Sequence, residues 1–372
     1  MAGIYIHIPF CKQKCHYCDF HFSTTFEAYY DKMIDAICAE IKGRASYLNG
    51  AEVRTLYFGG GSPSLLDVDS IKRIKKTVLD HFNCSIEEFT FESNPDDLTD
   101  TYLDDLSTVG VNRLSIGIQS FDDEVLKFMN RAHNAEEALS CVRRAQKKGI
   151  KNISIDLIYG VPNTSDDYWK ETVEKAISLN VKHVSAYCLT IESGTVFAKW
   201  KEIKKLTALP EEDELAQFNI LNKLLFNAGI KRYEISNFGK DGFESKHNSA
   251  YWSQVPYVGI GPSAHSYNQI SRQWNVSNNR LYMDRVGKGE SYFELEQLSD
   301  SEKFNETLLT GLRTLKGVPL HHLSDELKTE SWNLLLNKLI EEKVLTLESG
   351  FVSVREEHLF RADGIAADLF VD

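Results

Sequence analysis

A chain of 372 residues, 42% hydrophobic and 26% charged, can bury a large core but is too long for one ordinary compact domain unless that domain is a barrel. Its net charge of −12 excludes a generally basic, nucleic-acid-binding surface. No apolar run is long enough to span a bilayer and residues 1–7 lack a secretory pattern, so a cytoplasmic location is expected, with peripheral membrane contact left open.

In chain order, β-branched and apolar runs predict strands at 4–8, 53–58, 88–92, 113–118, 153–158 and 183–189. Helical spacing predicts helices at 26–42, 67–81, 100–108, 135–148, 165–179 and 212–228. In the fourth of these, Ala135, Ala138, Leu139, Val142 and Ala145 form a stripe closed by Gly149. In the last, Leu215, Phe218, Leu221, Leu225 and Ala228 share a face that ends at Gly229. Strands alternating with helices imply parallel pairing through right-handed crossovers. About six such units are too few to close an eight-stranded barrel, so an α/β fold is expected, either an open partial (βα)6 barrel or a doubly wound sheet. In both, ligands sit at the carboxyl ends of the strands.

From 233 to 298 the pattern turns irregular and rich in aromatic, Asn, Ser and Gly residues, and is expected to form a connecting segment over the barrel mouth. From 299 to 372 it is mainly helical, with a helix at 332–341 and a hairpin of 344–347 and 351–354 around Glu348-Ser349-Gly350. Helices followed by a hairpin resemble a winged-helix module, and the acidic charge favours packing or docking over DNA binding. The expected division is therefore 1–232, 233–298 and 299–372.

Seven cysteines, an odd number, do not suggest a disulfide framework. Cys38, Cys84, Cys141 and Cys188 are scattered and expected to be small apolar core residues. Cys11, Cys15 and Cys18 form CxxxCxxC just after the first strand. Three thiolates on one loop can hold three corners of a four-iron cubane and leave the fourth iron open. A zinc ion held by the three cysteines plus His16 or His21 is the alternative. Gly59-Gly60-Gly61-Ser62-Pro63 follows the second strand, either as a turn or as a loop whose N–H groups meet a polar ligand. Glu92, Gln119 and Asp156 lie on the third, fourth and fifth strands, and Arg131 precedes the fifth. Each taken alone would pass for a solvated polar residue. Further on stand His247, Asn248, Tyr251 and Trp252, then His265. Imidazole is a common axial ligand to heme iron, and flat aromatics can cover a porphyrin face. The same residues would also serve as an ordered loop.

Tyr5-Ile-His-Ile-Pro-Phe-Cys11 and Tyr17-Cys18, with the glycine loop, resemble the radical S-adenosylmethionine (SAM) family, in its coproporphyrinogen oxidase-like group. The resemblance runs from Ile4 into the C-terminal module and implies a partial (βα)6 radical SAM barrel. It implies a 4Fe-4S cluster on Cys11, Cys15 and Cys18, with SAM chelating the open iron and open to cleavage to a 5′-deoxyadenosyl radical. It places Tyr5, Gly60, Gly61 and Ser62 along the cluster and methionine side. Glu92 and Arg131 would meet the amino and carboxylate groups, Gln119 and Asp156 the ribose hydroxyls, and Cys188 the adenine through its backbone. Oxygen-independent oxidases of the group end the cysteine motif in CGC, whereas Cys18-Asp19-Phe20 here matches the heme chaperone branch, as does the HNxxYW run beginning at His247. The implied function is delivery of heme to acceptor hemoproteins, respiratory membrane proteins among them, with porphyrinogen decarboxylation as the alternative. The electron donor and the oligomeric state have no sequence signature.

Overall fold

The computed structural model describes all 372 residues. Strands β1 (Ala2–Ile8), β2 (Val53–Gly60), β3 (Cys84–Ser93), β4 (Arg113–Gln119), β5 (Asn152–Tyr159) and β6 (His183–Cys188) pair in sequence order, every neighbour parallel. Helices α1 (Tyr30–Gly43), α2 (Val68–His81), α3 (Asp100–Thr108), α5 (Ala135–Lys147) and α6 (Asp166–Ser178) form the crossovers, joined by the short α4 (Asp123–Phe128). All six expected strands are present, and the expected crossover helices lie within a few residues of their predicted bounds.

Local chemistry starts and stops these helices. Asn134 and Glu137 form a reciprocal capping box at the head of α5, which ends at Gly149 with φ +86° and a bond from Ile150 N to Ala145 O. Ala138, Cys141, Val142 and Ala145 make its buried face. In α8 (Glu211–Asn227), which follows α7 (Val196–Glu202), the expected apolar face needs one correction. Leu215 is exposed and Gln217 is buried in its stead, accepting a bond from Gly160 N at 2.8 Å.

The strands alternate strictly. Ile4, Ile6, Leu56, Phe58, Phe89, Phe91, Leu114, Ile116, Ile153 and Ile155 are fully buried in the core shared with the helices. Between them Tyr5, His7, Thr55, Tyr57, Glu88, Thr90, Glu92, Arg113, Ser115, Ser154, Asp156 and His183 face the other way, and Tyr57 bonds Glu92, Ser115 bonds Asp156 and Ser154 bonds His183. A parallel strand covered on both faces reads as continuously apolar; a period of two marks a polar interior. Six strands laid flat would span about 24 Å, yet the ends of β2 to β6 and the loop leaving β1 line one cavity, so the sheet is curled.

The sheet continues beyond this barrel to twelve strands. On the β6 edge lie β7 (Lys231–Glu234) and β8 (Asn237–Gly239), antiparallel. After α9 (Lys246–Trp252), β9 (Tyr257–Ile260) pairs parallel with β1, and β10 (His265–Tyr267), β11 (Ser271–Asn275) and β12 (Phe293–Gln297) extend that edge, with α10 (Asn279–Lys288) between the last two. Then come α11 (Asp300–Leu312), β13 (Val318–Pro319), α12 (Glu330–Glu341), β14 (Leu345–Glu348), β15 (Phe351–Val354) and α13 (Ala362–Asp368). The order is helix–strand–helix–hairpin, and its three strands form a separate sheet of order β13-β15-β14.

Candidate functional site

The loop leaving β1 carries the three cysteines, and bonds from outside fix its path. His16 donates from Nδ1 to the Phe128 carbonyl at 2.8 Å, and its N–H bonds the Met129 carbonyl. Gln13 Nε2 donates to Asn130 O, and Asn130 Nδ2 donates back to Lys14 O at 2.7 Å. Lys12 pairs with Asp96 at 2.6 Å and with Asp97. Cys11, Cys15 and Cys18 are half-buried and line a cavity of about 470 Å³. Burial pushes the Cys11 thiol up to about 12 and the Cys18 thiol up to about 11, a penalty that a bound cation reverses. Neither His16 nor His21 lines this cavity. The His16 ring packs edge-on against Trp200, and His21 Nε2 donates to Asn279 Oδ1 at 2.7 Å. With neither histidine beside the thiols, the zinc alternative lacks its fourth ligand.

Beside the cysteines runs the glycine loop, where space decides the residue type. Gly60 has φ +109°, and a Cβ there would lie 2.7 Å from the His7 ring. A Cβ on Gly61 would lie 2.5 Å from the Phe10 carbonyl and 3.0 Å from Cys11 Sγ. Ser62 donates to Cys11 Sγ at 3.6 Å and accepts from Asn94 Nδ2 at 2.8 Å.

Four expected site residues close the cavity. Glu92 accepts from the Tyr57 hydroxyl at 2.6 Å and from Gly60 N at 3.2 Å; burial, with Asp156 nearby, pushes its carboxyl up to about 7. Asp156 accepts from Ser115 Oγ at 3.2 Å, and burial raises it to about 6. Gln119 sits at a break in the β4–β5 register with φ +66°, a left-handed conformation that non-glycine residues adopt at some cost. Arg131 bonds Asn94 Oδ1 at 2.8 Å, the Gly117 carbonyl at 2.7 Å, Cys15 Sγ at 3.4 Å and Tyr17 OH at 3.4 Å. Its terminal nitrogens are thus engaged within the chain, and the buried Nε is the atom left without a partner.

Tyr5 departs from its expected place. It lines a second, adjoining cavity of about 360 Å³, together with His7, His21, Tyr251, Tyr257 and His265. Asp19, Phe20, Gly60 and Glu92 belong to both cavities. The run beginning at His247 divides among three surroundings. His247 enters the barrel floor, where Nδ1 bonds Thr55 Oγ1 and Nε2 bonds Tyr251 OH, both at 2.8 Å. Tyr251 reaches the second cavity, while Trp252 lies under the Arg313 guanidinium, 5.1 Å from it, towards the C-terminal module. His247, Asn248 and Trp252 line neither cavity.

Sequence reasoning missed several members of the interior. Arg113 is buried, with Nε and Nη1 unpartnered, and its charge favours ionised Glu92 and Asp156. Tyr57, Ser115 and Asn94 orient Glu92, Asp156 and Arg131. The available signal was period: Tyr57, Arg113 and Ser115 all fall on the polar parity of their strands.

Residues 5–176 match the model of the radical SAM superfamily. The heme chaperone HemW of Bacillus subtilis is 35% identical, over 86% of this chain and 85% of its own length. That of Lactococcus lactis is 34% identical over 92% and 90%. Among solved structures, Escherichia coli coproporphyrinogen III oxidase (HemN), a radical SAM enzyme, superposes with a TM-score of 0.83 at 21% identity, over 99% of this chain and 90% of that one; at this identity the likeness is one of fold.

Proposed function

The chain belongs to the heme chaperone HemW family of radical SAM proteins, and from that premise we propose that its cysteine cavity holds a 4Fe-4S cluster with SAM while the adjoining cavity takes heme for delivery to acceptor hemoproteins. The observation that carries this reading is the meeting of three thiols, Glu92, Asp156, Gln119 and Arg131 around one cavity, at the ends of β2 to β6 and the loop leaving β1. The donor set fits both groups. Cys11, Cys15 and Cys18 would hold three irons, and the donors of Ser62 and Arg131 already point at sulfur. When bound, the cluster supplies an open iron that chelates the amino and carboxylate groups of SAM, and an electron.

The rest is work for the chain's own residues. Gly60, Gly61 and Ser62 keep the backbone close to the methionine side. Glu92, held by Tyr57, loses its proton and pairs with the ammonium group. Arg131, fixed by Asn94 and Gly117, turns its positive charge to the carboxylate. Asp156 and Gln119 meet the ribose hydroxyls, and Cys188, on the same cavity wall, contributes backbone near the adenine. On this reading residues 1–232 form the cofactor barrel, 233–298 bring the His247 motif and His265 to it, and 299–372 dock. Acceptors include respiratory membrane proteins met peripherally; no helix of the chain is long and apolar enough to cross a membrane.

Cys18-Asp19-Phe20 stands against the oxidase alternative, because it lacks the fourth cysteine expected there. The test is an anaerobic heme titration of cluster-loaded protein, followed by transfer to an apo-hemoprotein with and without SAM. Specific one-to-one binding and transfer are expected. A cluster-loaded protein that binds no heme specifically but decarboxylates coproporphyrinogen with SAM would overturn the proposal.

A further inference from the structure

We infer that His265 supplies the axial imidazole to the heme iron in the smaller cavity, and that His247 is a positioning residue behind that cavity's wall. This rests on the heme reading above and names the ligand within it.

Three histidines border the cavity, and their bonding separates them. His7 donates from Nε2 to the His21 carbonyl at 2.9 Å and meets Tyr5 OH through Nδ1 at 3.5 Å, so both its nitrogens are occupied. His21 donates from Nε2 to Asn279 Oδ1, which tethers the ring and leaves only its Nδ1 open. His265 is exposed, and neither of its ring nitrogens has a hydrogen-bond partner within the chain. Burial of part of the ring, with Arg272 nearby, holds it below its ordinary value, so the imidazole is neutral and carries a free lone pair at pH 7.

The backbone beneath that free ring is rigidly mounted. Ser266 accepts from the buried Arg44 Nη2 and from Gly259 N, both at 3.0 Å. A Cβ on Gly259 would stand 2.1 Å from the His265 carbonyl, and one on Gly261 would stand 2.4 Å from the His7 carbonyl. Trp274 stacks on the imidazole with centroids 6.3 Å apart. A ligand whose main chain is fixed and whose nitrogen is open is prepared for a metal. Tyr251, Tyr257 and the exposed Phe20 offer apolar faces for the macrocycle around it.

His247 has the opposite character. It is 1% exposed, both nitrogens are engaged, and burial lowers it to about 3. Iron ligation would require it to leave Thr55 and Tyr251 and to reach a cavity it does not line. Its influence on heme passes through Tyr251, whose hydroxyl it holds and whose ring packs edge-on against Tyr257 with centroids 4.6 Å apart.

The experiment is a ferric heme titration of the cluster-loaded full chain and of His265→Ala and His247→Gln, read by Soret position and low-temperature EPR. His265→Ala should lose the histidine-ligated spectrum and bind roughly tenfold or more weakly, and added imidazole should restore the spectrum. His247→Gln should keep the wild-type ligation signature whatever its affinity. A wild-type spectrum in His265→Ala overturns the inference while leaving the heme reading in place, as does loss of ligation in folded His247→Gln alone. If His247→Gln does not fold, the His265→Ala spectrum and its imidazole rescue decide the matter. Absence of specific heme binding by wild-type protein defeats the heme reading itself.

Discussion

The two ends of the barrel both carry histidines, and these are bonded in opposite ways. At the floor, Glu88 accepts from the N–H groups of Lys246 and His247 at 3.0 Å, His247 is held at both nitrogens, and His183 is held by Ser154 and Tyr233. At the mouth, Arg131 Nε lacks a partner, His265 bonds nothing, Glu92 is poised near neutrality and Gln119 takes a left-handed backbone. A buried polar group that is fully paired specifies the fold; one left partly unpaired is held in reserve for a ligand. The kind of residue does not tell the two apart, but its unused bonding capacity does.

The largest effect that would sharpen this contrast is at the cysteine loop. Cys15→Ala should reduce bound iron and labile sulfide to background after anaerobic reconstitution, while far-UV circular dichroism stays unchanged because His16, Gln13 and Asn130 hold the loop. Retention of full iron would break the assignment. Next comes the floor. His247→Ala strands two buried hydroxyls, of Thr55 and Tyr251, and should cost about 3 kcal/mol in urea unfolding.

A smaller effect belongs to Glu92. Its folded-state carboxyl is raised to about 7, so pairing with an ammonium group expels a proton below that value. SAM affinity should therefore fall as pH drops through about 7, by at most about tenfold per unit, and Glu92→Gln should flatten the profile in equilibrium dialysis. The smallest is a control at the mouth: His265→Ala should change stability by less than about 0.5 kcal/mol, since no bond within the chain is lost. An equal loss at His247 and His265 would erase the distinction between floor and mouth.

What sequence made legible follows the locality of each signal. The six barrel strands were found because apolar residues recur within each of them, and the cysteines because their spacing is itself the chemistry. The strands β7 to β12 were missed because they are three to five residues long, and several of their pairings are distant in sequence: Gly3 meets Tyr257, and Arg272 meets Glu296. The placement of His247 was illegible for the same reason, since its partner Thr55 lies on β2. Gln217 and Arg113 were passed over because a polar residue counts against burial until its partner or its cavity is known.

Four residues, Asp19, Phe20, Gly60 and Glu92, are common property of the two cavities. Any occupant that shifts this partition on one side alters binding on the other, and thermodynamic linkage makes the alteration the same factor in both directions. Occupancy by SAM can in this way set how firmly the neighbouring cargo is held, and arrival of the cargo can set the retention of SAM, with no covalent bond made or broken.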